Sequence, residues 1–167
     1  IRQRGLLEPI RLVRRHGLGA SVGFVLRNLR YILADLLARK WDRQHGVDTA
    51  GSIQLGALDV VGPHRGKGNE AVCTSPRTFD FIMRSLPRDL QDHTFIDIGS
   101  GKSRTLLLAS RYPFATIIGV EFARELVEIA RSNIERFRDP SRKCRELSVV
   151  QADAAAYEFP EAPLVVY

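Results

Sequence analysis

The chain has 167 residues, 44% hydrophobic and 26% charged; that balance excludes global disorder, a collagen-like repeat or a disulfide scaffold. Its formal charge of +6 is unevenly placed, with ten Arg or Lys against three acids in residues 1–45 and fifteen against sixteen in residues 46–167. Basicity belongs to the N-terminal segment, not to the body of the chain. Cys73 and Cys144 stand far apart in no metal-type spacing. They read as reduced thiols of a cytoplasmic protein, and no metal site is expected. The uncharged run between Arg15 and Arg27 is too short to span a bilayer and has no small-residue cleavage site after it. The chain opens on Ile1 and stops at Tyr167 inside the apolar run Leu164-Val165-Val166-Tyr167. A piece of a longer protein is therefore expected.

Val22, Val25, Leu26, Leu29, Leu33 and Leu36 recur at helical spacing, which predicts an amphipathic helix over 21–43. Together, residues 1–45 read as a basic N-terminal helical segment. One face suits a partner domain, and the arginines off it suit solvent, nucleic acid or a membrane surface. Residues 46–72 carry Gly46, Gly51, Gly56, Gly62, Pro63, Gly66 and Gly68 and read as a mobile, glycine-rich linker, in which His64-Arg65-Gly66-Lys67-Gly68 lacks a strand-to-helix setting. Ser75-Pro76 predicts a helix start, with Phe79, Ile82, Met83 and Leu86 on one face. Alternation follows. Strands are predicted at 94–98, 116–120, 147–151 and 164–167, and helices at 102–111 and 123–137. The second of these helices turns Leu126, Ile129, Ala130, Ile134 and Phe137 inward. Near-continuous apolar strands alternating with helices specify an α/β protein with a parallel sheet.

The chemically informative stretch is Phe95-Ile96-Asp97-Ile98-Gly99-Ser100-Gly101-Lys102-Ser103. An acid closes a buried strand and a glycine turn opens a helix, at the sheet end where ligands bind in open α/β folds. A phosphate-wrapping loop would need a glycine at Ile96, inside the strand. A dinucleotide fingerprint would need a small residue at Arg104.

The same residues resemble the first motif of the class I, Rossmann-like methyltransferases, an acid followed by Gly-x-Gly-x-Gly, with Ser103 in place of the last glycine. The family's further acids, at the ends of the second and third strands, correspond to Glu121 and Asp153. The resemblance covers 73–167 and implies S-adenosyl-L-methionine as cofactor. It implies a Rossmann-like parallel sheet in strand order 3-2-1-4, truncated after the fourth strand, with helices on both faces and N-terminal helices before it. By the same resemblance Asp97 faces the methionine amino group, and Gly99, Ser100 and Gly101 pass close to that moiety. Glu121 accepts from both ribose hydroxyls, Phe122 lies against adenine, and Asp153 and the Ala154 amide meet the adenine edge. Thr74, before the covering helix, closes over the methionine end. Alternatives at single positions are that Asp97 caps the turn, Glu121 pairs with Arg124, Asp153 is a loop acid and Phe122 is core. Lys102 is expected to point to solvent. Groups that grip a methyl acceptor follow the fourth strand in this family, so no catalytic residue is named. The acceptor is of unidentified class, although the helix after Thr74-Ser75-Pro76 is similar to that of the protein-lysine branch. A cofactor-binding scaffold without catalysis, or a P-loop-type nucleotide-binding protein, are the competing functions.

Overall fold

A computed structural model describes residues 29, 31–51, 73–86 and 89–167. The expected helical turns over 21–28, the loop His64–Gly68 and Pro87 lie outside the described residues. The chain divides into two compact units, Ile1–Leu37 and Ala38–Tyr167. In the first, residues 31–37 are helical, and Leu29, Ile32, Leu33, Leu36 and Leu37 are exposed.

In the second unit the helix α1, which runs over 31–45 in all, buries Ala38, Trp41 and Asp42, with His45 half-buried. These positions share one face at spacings of three and four. After it come α2 (Pro76–Met83), β1 (Thr94–Ile98), α3 (Arg104–Ala109), β2 (Thr116–Glu121), α4 (Arg124–Arg136), β3 (Glu146–Gln151), a 3-10 turn (Ala154–Ala156) and β4 (Leu164–Val166). The four strands form one all-parallel sheet in the order β3-β2-β1-β4. This is the Rossmann-like α/β order that the resemblance implies.

Local chemistry accounts for the element ends. Ser75 caps α2 by accepting the Thr78 N–H at 3.1 Å, and Pro76 at the first helical position forfeits no bond. Helix α3 is shorter than expected because Gly101 and Ser103 hold left-handed angles, φ 52° and 71°. Helical geometry cannot begin before Arg104. In α4, Val127 and Asn133 are buried, although the apolar pattern pointed to Ile129 and Ile134, which are only partly covered.

Parallel register aligns Leu147, Ile117, Phe95 and Val165 in one row across the sheet. Leu106, Leu107 and Leu108 of α3 and Phe79 and Met83 of α2 pack on that row. A smaller cluster joins Val127 and Ala130 of α4 to Val149 of β3. Apolar burial of this kind is the main driving force for the fold, at about 25 cal/mol per Å². It also carries the carboxyl ends of β1, β2 and β3 to one edge of the molecule.

Candidate functional site

The turn after β1 is docked on the end of β2. Gly99, with φ 77°, and Ser100 both donate their N–H to the Val120 carbonyl, at 2.8 and 3.1 Å. Gly101 donates to Glu121 Oε2 at 2.8 Å, and the Ala123 N–H donates to Oε1 at 2.9 Å. Glu121 is 3% exposed and thus lies beneath the turn, bracing it, while Arg124 pairs with Glu128 instead. Gly119 explains how the turn comes so close. A Cβ there would stand 2.6 Å from the Leu106 side chain and 2.8 Å from Ser100 Cβ. Only glycine lets the turn rest on the strand.

Ser103, at the position of the motif's last glycine, has φ 71° and no exposure, and its hydroxyl finds no hydrogen-bond partner among the described residues. A left-handed angle at a residue with a Cβ costs about 1–3 kcal/mol. The departure from glycine is accommodated in the backbone, not by a change of turn.

Asp97 is 4% exposed, at the end of β1. Burial is the main reason its carboxyl is pushed up to about 7; a hydrogen bond with Thr105 pulls it back, and the negative charge of Glu121 adds to the rise. Asp97, Gly99, Ser100, Gly101 and Thr74 together line one cleft of about 240 Å³. Thr74 Oγ1 and Tyr167 Oη are hydrogen-bonded at 2.9 Å, and Tyr167 lines the same cleft.

Glu121, Phe122, Asp153 and Ala154 are not among its lining residues. They stand along the same carboxyl edge. The register pairs Ile98 with Val120 and Val120 with Val150, and the Ala152 N–H donates to the Glu121 carbonyl at 3.0 Å. Asp153 caps the 3-10 turn by accepting the Ala155 N–H at 3.0 Å. Phe122 is half-buried and Ala154 exposed.

One expectation is corrected. Lys102 does not point to solvent; its Nζ donates to the Ala50 carbonyl at 2.7 Å and contacts Asp48 at 3.3 Å. Sequence reading also missed Thr49, Gly51 and Tyr167, which line the cleft. No local signal marks them, because the chain brings them there from distant positions. Among the described residues no group of three or more His, Cys, Asp or Glu side chains is placed to hold a metal ion, and no helix is long and apolar enough to cross a membrane.

The sequence matches no protein-family model and no curated protein. Among solved structures it is similar to an RNA methyltransferase from Salinibacter ruber in complex with S-adenosyl-L-homocysteine, at 24% identity and a TM-score of 0.46, over 57% of this chain and 60% of that one. It is also similar to the precorrin-6y C5,15-methyltransferase from Geobacter metallireducens, at 20% identity and a TM-score of 0.41, over 60% and 46% of the two chains. The YcgJ protein from Bacillus subtilis matches at 25% identity and a TM-score of 0.40, over 50% and 33%. The chain thus spans less than two thirds of each of these structures.

Proposed function

We infer that the chain carries the cofactor half of an S-adenosyl-L-methionine-dependent methyltransferase. The observation behind this reading is the convergence at one sheet edge of a glycine turn and three acids, with the buried carboxyl of Asp97 facing the cleft. The residues suit such a ligand. A Cβ built on Gly99 would meet nothing within 4 Å, so a ligand can approach the backbone there. Asp97 is a buried acid poised to ionise when a cation arrives, which is the demand an α-ammonium group makes.

When bound, the cofactor supplies an electrophilic methyl group on a positive sulfonium. Asp97 would hold the ammonium group, its carboxyl giving up its proton to form the pair. The 99–101 backbone would fix the approach; Glu121 holds that backbone through both carboxylate oxygens, and each oxygen keeps a lone pair with which it would accept from a ribose hydroxyl. Asp153 and the Ala154 amide would hold the adenine edge. Orientation of this kind is the main contribution to an in-line displacement, where aligned reactants reach effective molarities of ~10⁵ M or more.

Calorimetry at pH 7 with S-adenosyl-L-methionine, ATP and NAD tests this reading. Binding of the first alone is expected, and repeating the titration in buffers of different ionisation enthalpy should reveal proton release from Asp97. Absence of S-adenosyl-L-methionine binding, or equal binding of ATP or NAD, overturns it.

A further inference from the structure

Residues 46–51 belong to a stretch whose composition reads as irregular linker, yet Val47, Thr49 and Ala50 are buried. Four side chains hold this strap. Asp42 accepts the N–H groups of Thr49 and Ala50 at 2.8 and 2.6 Å and the Thr49 hydroxyl at 2.6 Å. Arg104 binds Asp42 at 2.8 Å and Thr49 Oγ1 at 2.6 Å, and its guanidinium lies 4.5 Å over the Trp41 ring. Asn133, fully buried, accepts the Asp48 N–H and donates to the Asp48 carbonyl, both at 2.8 Å, and to the Lys102 carbonyl at 3.0 Å. Lys102 completes the set through the Ala50 carbonyl.

Two of the gripping side chains, Lys102 and Arg104, lie within three residues of Gly101. The same short peptide therefore forms the ligand turn and clamps the strap. Thr49 and Gly51 of the strap line the cleft together with that turn, the end of β1, the start of α3, Cys73, Thr74 and Tyr167. Buried charges are costly unless paired and hydrogen-bonded, and the Asp42–Arg104 pair is satisfied on every side the strap offers. Such a network fixes one position of a segment more sharply than apolar packing does.

Resting on the reading of the cleft as the S-adenosyl-L-methionine site, we propose that residues 47–51 are a second wall of that site at its amino-acid end, with Lys102 and Arg104 as positioning residues. The amino-acid end is indicated because Asp97 faces the cleft shared with Thr49 and Gly51, whereas Glu121 and Asp153, suited to the adenosine portion, do not line it.

The experiment uses the full 167-residue chain and two probes, S-adenosyl-L-homocysteine and 5′-methylthioadenosine, which shares the nucleoside but lacks the amino acid. Lys102→Met releases the Ala50 carbonyl and leaves the Asp42–Arg104 pair in place. Its affinity for S-adenosyl-L-homocysteine should fall about tenfold, as expected for losing a charged hydrogen bond that orders the wall, with 5′-methylthioadenosine affinity changed by less than about twofold. Lys102→Arg, which keeps a donor, should recover most of the loss. A second measurement needs no variant: hydrogen exchange at the amides of 48–51 should slow with S-adenosyl-L-homocysteine and not with 5′-methylthioadenosine. Equal losses for both probes, unchanged affinity for S-adenosyl-L-homocysteine, or equal exchange with and without it would overturn the strap's role. Failure of the unmodified chain to bind S-adenosyl-L-homocysteine would instead remove the site reading, and the strap's role with it.

Discussion

Asp97 holds its proton far longer than an ordinary aspartate because the fold removes it from water. Its value is about 7 in the folded chain against 3.8 for a free aspartate. Between those values the native state keeps a proton that the unfolded chain releases. This contribution to stability is therefore complete below the unfolded value and is lost as pH rises toward 7, a change on the order of 4 kcal/mol. Asp97→Asn is neutral throughout, so its stability relative to the parent should grow between pH 5 and pH 8. Urea denaturation at the two pH values checks the sign; a constant difference would contradict it. Gly119 shows the same dependence on surroundings in a steric form. Gly119→Ala should destabilise the fold by about 1–3 kcal/mol, since the new methyl must push back Ser100 and Leu106. The urea midpoint should fall accordingly while the slope of the transition stays the same.

At the scale of elements, the site depends on how α4 and the β1–α3 turn are joined. Asn133 is the joint: one amide side chain on α4 serves both the strap and the carbonyl of Lys102. Replacing it by alanine takes this partner from partly buried backbone groups of two segments. Asn133→Ala should cost about 1–3 kcal/mol, the scale of losing several hydrogen bonds of a buried amide to partly buried backbone groups. Thermal unfolding followed by circular dichroism reads this directly, and a midpoint within a degree of the parent's would show that the bonds contribute nothing net. Helix α1 is joined by a different device. Trp41 stacks on His45 at 4.1 Å between ring centroids and lies under the Arg104 guanidinium, so an apolar face is finished by a cation.

For the molecule as a whole, the element sequence and the place of the glycine turn were legible in the residue pattern, and the strand order β3-β2-β1-β4 followed from the family resemblance. Periodicity settles which residues are strand or helix, and parallel strands joined by helices leave few allowed arrangements. The Asp97–Gly101 turn was legible because its angles demand particular residues locally. The strap at 47–51 was not, since its anchors Asp42, Arg104 and Asn133 are polar residues without period, separated by tens of positions. Likewise Lys102 reads as a solvated helix-start lysine until tertiary contact gives its ammonium a carbonyl to hold. Local backbone preference and apolar spacing are properties of neighbours in the chain, and the sequence by itself therefore determined the strands, the helices between them and the bend at the sheet edge. Which buried polar groups meet, how far the Asp97 carboxyl is desolvated and what walls the cleft depend on distances between remote segments. Those were decided only when the chain folded, because polar pairing and desolvation are set by the final three-dimensional neighbours.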